Sequence, residues 1–128
     1  MRSILVCLAL ANPAFAQDAL SGTDFENFVE GKTLGYSVGS NTPYGTERYM
    51  QNRRVIWTTI DGRGTTGVWF DGAGQICFRY DDDDTDKCWY FFPQGDGLVG
   101  IFEHELGRAY GVDVIGDDEL FACDRFTS

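Results

Sequence analysis

From Lys32 onward the chain is a series of short apolar runs, often with every second position polar, separated by glycine-rich turns. That spacing predicts strands. The runs are Lys32–Val38, Thr46–Gln51, Arg53–Ile60, Thr65–Phe70, Gln75–Tyr80, Cys88–Phe92, Leu98–Leu106, Ala109–Ile115 and Leu120–Cys123. Residues 39–45 are dense in turn formers, Asp61-Gly62-Arg63-Gly64 turns the chain, Asp71-Gly72 is a hairpin signal, and 93–97 is a further turn. One segment has a helical period instead. Thr23-Asp24-Phe25-Glu26 has the S/T-x-x-E form of a capping box, Phe25, Phe28 and Val29 follow at helical spacing, and Gly31 can end the helix. The pattern therefore predicts a mainly β fold: a small antiparallel barrel or strongly bent meander of about eight strands, with one short helix over 23–30 covering an end of the core.

The apolar, aromatic centre of the chain sharpens this. If Asp81 to Asp84 form a loop, Tyr80 pairs with Thr85 and Cys77 falls opposite Cys88. Arg79 then sits opposite Asp86 on the cysteine face, while Ile76, Phe78, Tyr80, Trp89 and Phe91 share the other face. A slip of one residue would scatter that set across both faces. A Cys77–Cys88 bridge in this register closes a short loop. The competing pairing takes either cysteine to Cys123 and ties down the C-terminal strand.

The N-terminus changes the picture of where the chain works. Met1-Arg2 carries one positive charge, Ile4 to Ala11 is apolar, and Ala14-Phe15-Ala16 has the A-x-A form of a cleavage site. These features predict a signal peptide over residues 1–16, a single β domain over 17–128, and an exported protein, periplasmic or secreted. The apolar run is too short to cross a bilayer, so no transmembrane segment is expected. Export places Cys77, Cys88 and Cys123 in an oxidising compartment, where three thiols form at most one internal bridge.

The whole chain carries 10 basic and 20 acidic residues, a formal charge of −10. Such a field repels phosphate and argues against nucleic acid or an anionic lipid surface as partner. Asp81, Asp82, Asp83, Asp84 and Asp86 crowd into six residues and raise the possibility of a hard cation, with Asp81, Asp83, Asp84 and Asp86 as candidate ligands. The spacing does not follow an EF-hand, since Asp86 stands where glycine belongs and Phe92 where glutamate belongs, and a solvated hairpin tip explains the run as well. His104-Glu105-Leu106-Gly107-Arg108 imitates H-E-x-x-H but has Arg108 in place of the second histidine, so no zinc site is expected. Glu103 and Glu105, two apart on a predicted strand, would share a face and could support acid–base chemistry around His104. The chain has no nucleophile elbow, no phosphate-binding glycine loop and no second histidine. A non-enzymatic role without cofactor or metal is the expectation.

Aromatic residues make up 15% of the chain, and this supplies the remaining candidate chemistry. Inward rings in a small barrel either fill it or line a ligand cavity, and filling is the commoner outcome. Trp57 is a candidate for binding, as are Tyr90 and Phe92, which the hairpin register turns outward. The expected partner is a protein or a small apolar ligand.

Gly67-x-Trp69-Phe70, Ile76-Cys77-Phe78-x-Tyr80 and Cys88-Trp89-Tyr90-Phe91-Phe92 carry a resemblance, together with Tyr44-Gly45-Thr46-Glu47-x-Tyr49 and Arg53-Arg54-Val55-Ile56-Trp57. The chain resembles a group of small exported alphaproteobacterial proteins of unknown function over residues 31–123. The resemblance implies an exported β-rich domain and supplies no activity. Relatives in that group tend to carry a cysteine just before G-x-W, where this chain has Gly64-Thr65-Thr66. A fainter likeness, through G-x-W and size, is to lipocalin-like inhibitor barrels of bacterial periplasms.

Export is checked by intact mass. Protein recovered from the periplasm or medium of an expressing bacterium is expected to begin at Gln17, and alkylation before and after reduction is expected to reveal one free thiol per chain. A mass that retains residues 1–16 would remove the export reading.

Overall fold

The computed structural model describes residues 18–39 and 41–117. One helix, α1 (Gly22–Val29), precedes eight strands: β1 (Lys32–Val38), β2 (Thr42–Tyr49), β3 (Arg54–Thr59), β4 (Gly64–Gly72), β5 (Gln75–Tyr80), β6 (Lys87–Gln94), β7 (Gly97–Phe102) and β8 (Tyr110–Asp117). Each strand pairs antiparallel with the next, and β8 returns to pair with β1, so the sheet is a closed up-and-down barrel. Closure leaves no sheet edge to solvent. The mainly β, roughly eight-stranded fold read from the periodicity is therefore present in its barrel form. Among the described residues no helix is long and apolar enough to cross a membrane.

β1 and β5 have the bounds that the alternation predicts; several other elements differ for identifiable reasons. β2 begins at Thr42, inside the segment read as loop, because a bulge between Tyr36 and Ser37 lets Pro43 and Thr42 pair with Ser37 and Val38. The β4–β5 turn is Ala73-Gly74, two residues after the Asp71-Gly72 signal. Both turn residues have positive φ, 55° and 79°, as a two-residue hairpin of matching twist requires, and Gly72 pairs with Gln75. β6 runs through Pro93 to Gln94, so the next turn is Gly95-Asp96. β7 stops at Phe102 rather than Leu106, since Glu105 N–H bonds back to the Phe102 carbonyl at 2.9 Å and folds the chain over. The predicted strand Leu120–Cys123, the signal segment 1–16 and the alternative partner Cys123 lie outside the described residues.

α1 is capped two residues earlier than the Thr23 capping box suggests. Ser21 is the N-cap, its hydroxyl accepting from Asp24 N–H at 3.1 Å. At the other end Lys32 Nζ donates to the Phe28 carbonyl at 2.9 Å. The helix closes one end of the barrel. Phe25 is fully buried and its ring centroid lies 5.6 Å from that of Tyr49, 5.1 Å from Trp69 and 4.7 Å from Phe91. Val29 is buried beside it. Arg53, in the turn before β3, holds the plug in place: it bonds Glu26 of the helix at 3.1 Å and Asp71 of β4 at 2.8 Å, with its guanidinium 4.1 Å from the Trp69 ring centroid.

The hairpin register is the predicted one. Ile76 pairs with Trp89, Cys77 with Cys88 and Phe78 with Lys87. A disulfide joins Cys77 to Cys88 on the outer face, while Ile76, Phe78 and Phe91 are buried on the inner face and Trp89 packs against them. Arg79 and Asp86 meet through two 2.9 Å hydrogen bonds. Reducing the bridge, or replacing both cysteines by serine, is expected to lower unfolding free energy by about 2–3 kcal/mol in a denaturant titration, the size expected for a loop this short. Identical midpoints with and without reductant would contradict this.

Candidate ligand-binding site

The barrel is filled at the helix end and hollow at the other. The loops β3–β4, β5–β6 and β7–β8 contribute to a mouth that leads into a cavity of about 860 Å³. The expectation that the rings simply fill the interior thus holds for Phe25, Tyr49, Trp69 and Phe91, and fails above them. An eight-stranded barrel is at the size where either outcome is available.

The cavity wall is aromatic, and its rings lean on one another in a closed circuit. Tyr36 stands 5.5 Å from Trp57 and 5.7 Å from Trp89; Trp89 is 5.0 Å from Tyr110, Tyr110 is 5.1 Å from Tyr44, and Tyr44 is 5.6 Å from Trp57, all between centroids. Phe78 and Tyr80, nearly parallel at 5°, and Phe102 complete the lining. Small residues make room for two of these rings. A Cβ at Gly45 would overlap the Trp57 indole, and one at Gly67 would fall 2.9 Å from the Tyr80 ring. Here a missing side chain on one strand lets the neighbour's ring lie across it.

Among these rings sits one carboxyl. Glu47 occupies the inward phase of β2, between Gly45 and Tyr49, with Leu34 of β1 and Trp57 of β3 as its lateral neighbours. It is 2% exposed. Tyr80 Oη donates to its Oε1 at 2.7 Å, whereas Oε2 is buried with no hydrogen-bond partner. Burial pushes the carboxyl up to about 8, with the Tyr80 bond pulling weakly the other way. At neutral pH Glu47 is therefore mostly a neutral acid. Because Oε1 already accepts from Tyr80, the proton belongs on Oε2. Just below, Tyr36 and Tyr49 share a 2.7 Å hydrogen bond between hydroxyls, and burial raises both phenols.

The mouth is charged and mostly paired. Asp83 accepts from Lys87 Nζ at 2.6 Å and from Thr85 N–H at 2.9 Å, Asp81 is bonded to Thr66, and Asp86 is held by Arg79. Three of the five clustered aspartates thus serve as partners within the hairpin, and no three His, Cys, Asp or Glu side chains among the described residues are grouped to hold a metal. Asp84 is exposed in the loop. Glu103, His104 and Glu105 lie beyond the end of β7, so the two glutamates do not share a strand face as predicted. Glu103 accepts from Gln75 at 2.9 Å and Glu105 from Tyr110 at 2.8 Å, which directs them to different partners. His104 is exposed, its Nε2 3.6 Å from Glu103.

Of the predicted binding residues, the structure brings Trp57 into the cavity wall. Tyr90 and Phe92 point out of the barrel, half-buried and paired with Ile101 and Val99, and take no part in the site. Glu47 was not singled out by sequence reasoning. Its signal was available: in a strand that buries Tyr49, the residue two before it shares the inward face.

A raised carboxyl has a pH signature. Its folded pKa lies above its unfolded one, so its contribution to stability is full below about 4.5 and is lost as pH rises through about 8. Comparing wild type with Glu47→Gln cancels the other carboxylates. The variant is expected to lose less stability between pH 5.5 and 8, and to exceed wild type at pH 7.5 by on the order of 2 kcal/mol in denaturant titrations. Parallel profiles would refute a neutral, buried Glu47. Compared with known proteins, the chain matches no family model, no curated protein and no solved structure.

Proposed function

We propose that this protein is an exported, non-enzymatic binding barrel that holds a small, largely apolar ligand in its open end. The observation that carries the reading is the cavity of about 860 Å³, walled by Tyr36, Tyr44, Trp57, Trp89, Phe102 and Tyr110 and containing one buried carboxyl oxygen with no partner. That combination, an apolar concavity of ligand size with few polar groups, is what small-molecule sites share. A buried polar group without a partner costs free energy, so a fold that retains one is supported by whatever completes its bonding. Export rests on the N-terminal sequence features and fits the disulfide, which an oxidising compartment maintains.

Nile red supplies a neutral apolar probe. Titration is expected to give saturable one-to-one binding, with quenching of tryptophan emission because Trp57 and Trp89 line the cavity while Trp69 packs against the plug. Thr65→Trp, which adds a third indole to the cavity wall beside Trp57, is expected to weaken binding by at least about tenfold. Non-saturable binding, or equal affinity in the variant, would remove the reading.

A further inference from the structure

We propose that the ligand is a protonated amine on a flat apolar body, its ammonium received by Glu47 Oε2 beneath the aromatic wall. The inference rests on the cavity reading above and names its ligand class.

Three observations converge on a cation. First, Glu47 lines the cavity and its Oε2 is buried and unpartnered; the other such atom among the described residues, Thr33 Oγ1, belongs to a residue that does not line the cavity. As a carboxylate this oxygen only accepts hydrogen bonds, and an ammonium only donates them. Second, no basic group offsets the burial of Glu47: the interactions that move its titration are its own desolvation and the Tyr80 hydroxyl. Lys87, which also lines the cavity, is already engaged by Asp83. Third, the surroundings favour positive charge. The walls include Tyr36, Trp57 and Trp89, and aromatic rings attract cations. The mouth carries Asp82, Asp83, Asp86 and Glu105 against Arg63 and Lys87, and Arg63 pairs with Asp61. A chain charge of −10 draws cations toward that opening and repels anions.

Binding then moves a proton in a defined direction. The amine arrives charged, the Oε2–H bond of Glu47 breaks, its proton leaves to buffer, and the carboxylate accepts from the ammonium. The titratable groups facing Glu47 are Tyr80 of β5, Tyr36 of β1 and Tyr49 of its own strand. All three phenols are raised by burial and stay neutral throughout the physiological range, so none of them supplies the proton. His104 lies exposed at the mouth, and the Glu47→Gln comparison separates any contribution it makes.

The test uses three ligands with one indole body: tryptamine, neutral indole-3-acetamide and anionic indole-3-acetate, titrated calorimetrically at pH 7 in buffers of different ionisation enthalpy. Tryptamine is expected to bind at least about tenfold more tightly than the acetamide, with indole-3-acetate weakest, and to release close to one proton per ligand. Its affinity is expected to rise by about tenfold from pH 6 to pH 7 and to level off above pH 8. Glu47→Gln, with folding checked by its circular-dichroism spectrum, is expected to abolish both the preference and the proton release. The inference is overturned if the acetamide binds as tightly as tryptamine, if saturable tryptamine binding releases no proton, or if Glu47→Gln keeps the preference. Nile red binding without tryptamine binding overturns the amine and leaves the cavity standing; failure of both removes the cavity itself.

Discussion

The pairing of β8 with β1 converts a meander into a tube, and the remaining features depend on the tube having an inside. Seven residue pairs, from Lys32 with Asp117 to Val38 with Tyr110, make that seam. Once it closes, period-two alternation becomes a division between lumen and solvent, and each strand must supply an inner row that fits. At the lower end the fit is met by mass: Tyr49, Val55, Trp69, Ile76, Phe91 and Leu98 are buried under Phe25 and Val29 of the helix. Towards the mouth the inward rings pack against one another around the wall rather than across the lumen, so space remains. The same closure thus yields a rigid plugged base and a cavity standing on it.

A carboxyl in such a place is expensive. Desolvation pushes the carboxyl up to about 8 even though the Tyr80 hydrogen bond acts the other way. A leucine or methionine would pack the position without penalty. Stability therefore gives no reason for Glu47, and the proposed ligand would supply one. The Tyr80 bond also has a directional consequence. By occupying Oε1 it fixes the carboxyl plane and leaves the second oxygen for whatever enters from the mouth. Gly67 is the remote support of this arrangement, since a side chain there would strike the Tyr80 ring.

Much of the fold could be read from the chain because its strands obey one simple rule. Ile76, Phe78, Tyr80, Trp89 and Phe91 alternate cleanly enough to fix the hairpin register, and the cysteines fall opposite each other only in that register. Reading failed where local composition and tertiary pairing disagree. Asn41, Thr42, Pro43 and Gly45 have turn chemistry, yet most of this segment pairs with β1 through a bulge. Asp71-Gly72 has the better hairpin sequence, but Ala73 adopts the left-handed backbone instead, which a sequence rule ranks low. The site was less legible for a related reason. Trp57 stands out by residue type, whereas Glu47 looks like an ordinary surface acid in an acidic chain, and only the phase of its strand reveals that it points inward. The cluster at 81–86 drew notice by count, but its carboxylates are largely consumed by Lys87, Arg79 and Thr66.

The outer disulfide bears on the inner cavity through register. Cys77 and Cys88 sit back to back with Phe78 and Trp89, which face the lumen one residue along each strand. A one-residue slip of β5 against β6 would break the sulfur pairing and at the same time put an inward ring opposite an outward neighbour. Locking the sulfurs therefore holds Tyr80 over Glu47 and Trp89 against Tyr36 and Tyr110. Pre-setting these rings before a ligand arrives lowers the ordering cost of binding. A covalent link on the solvent side of the sheet thus fixes the aromatic wall on the other side, without any atom of the bridge entering the cavity.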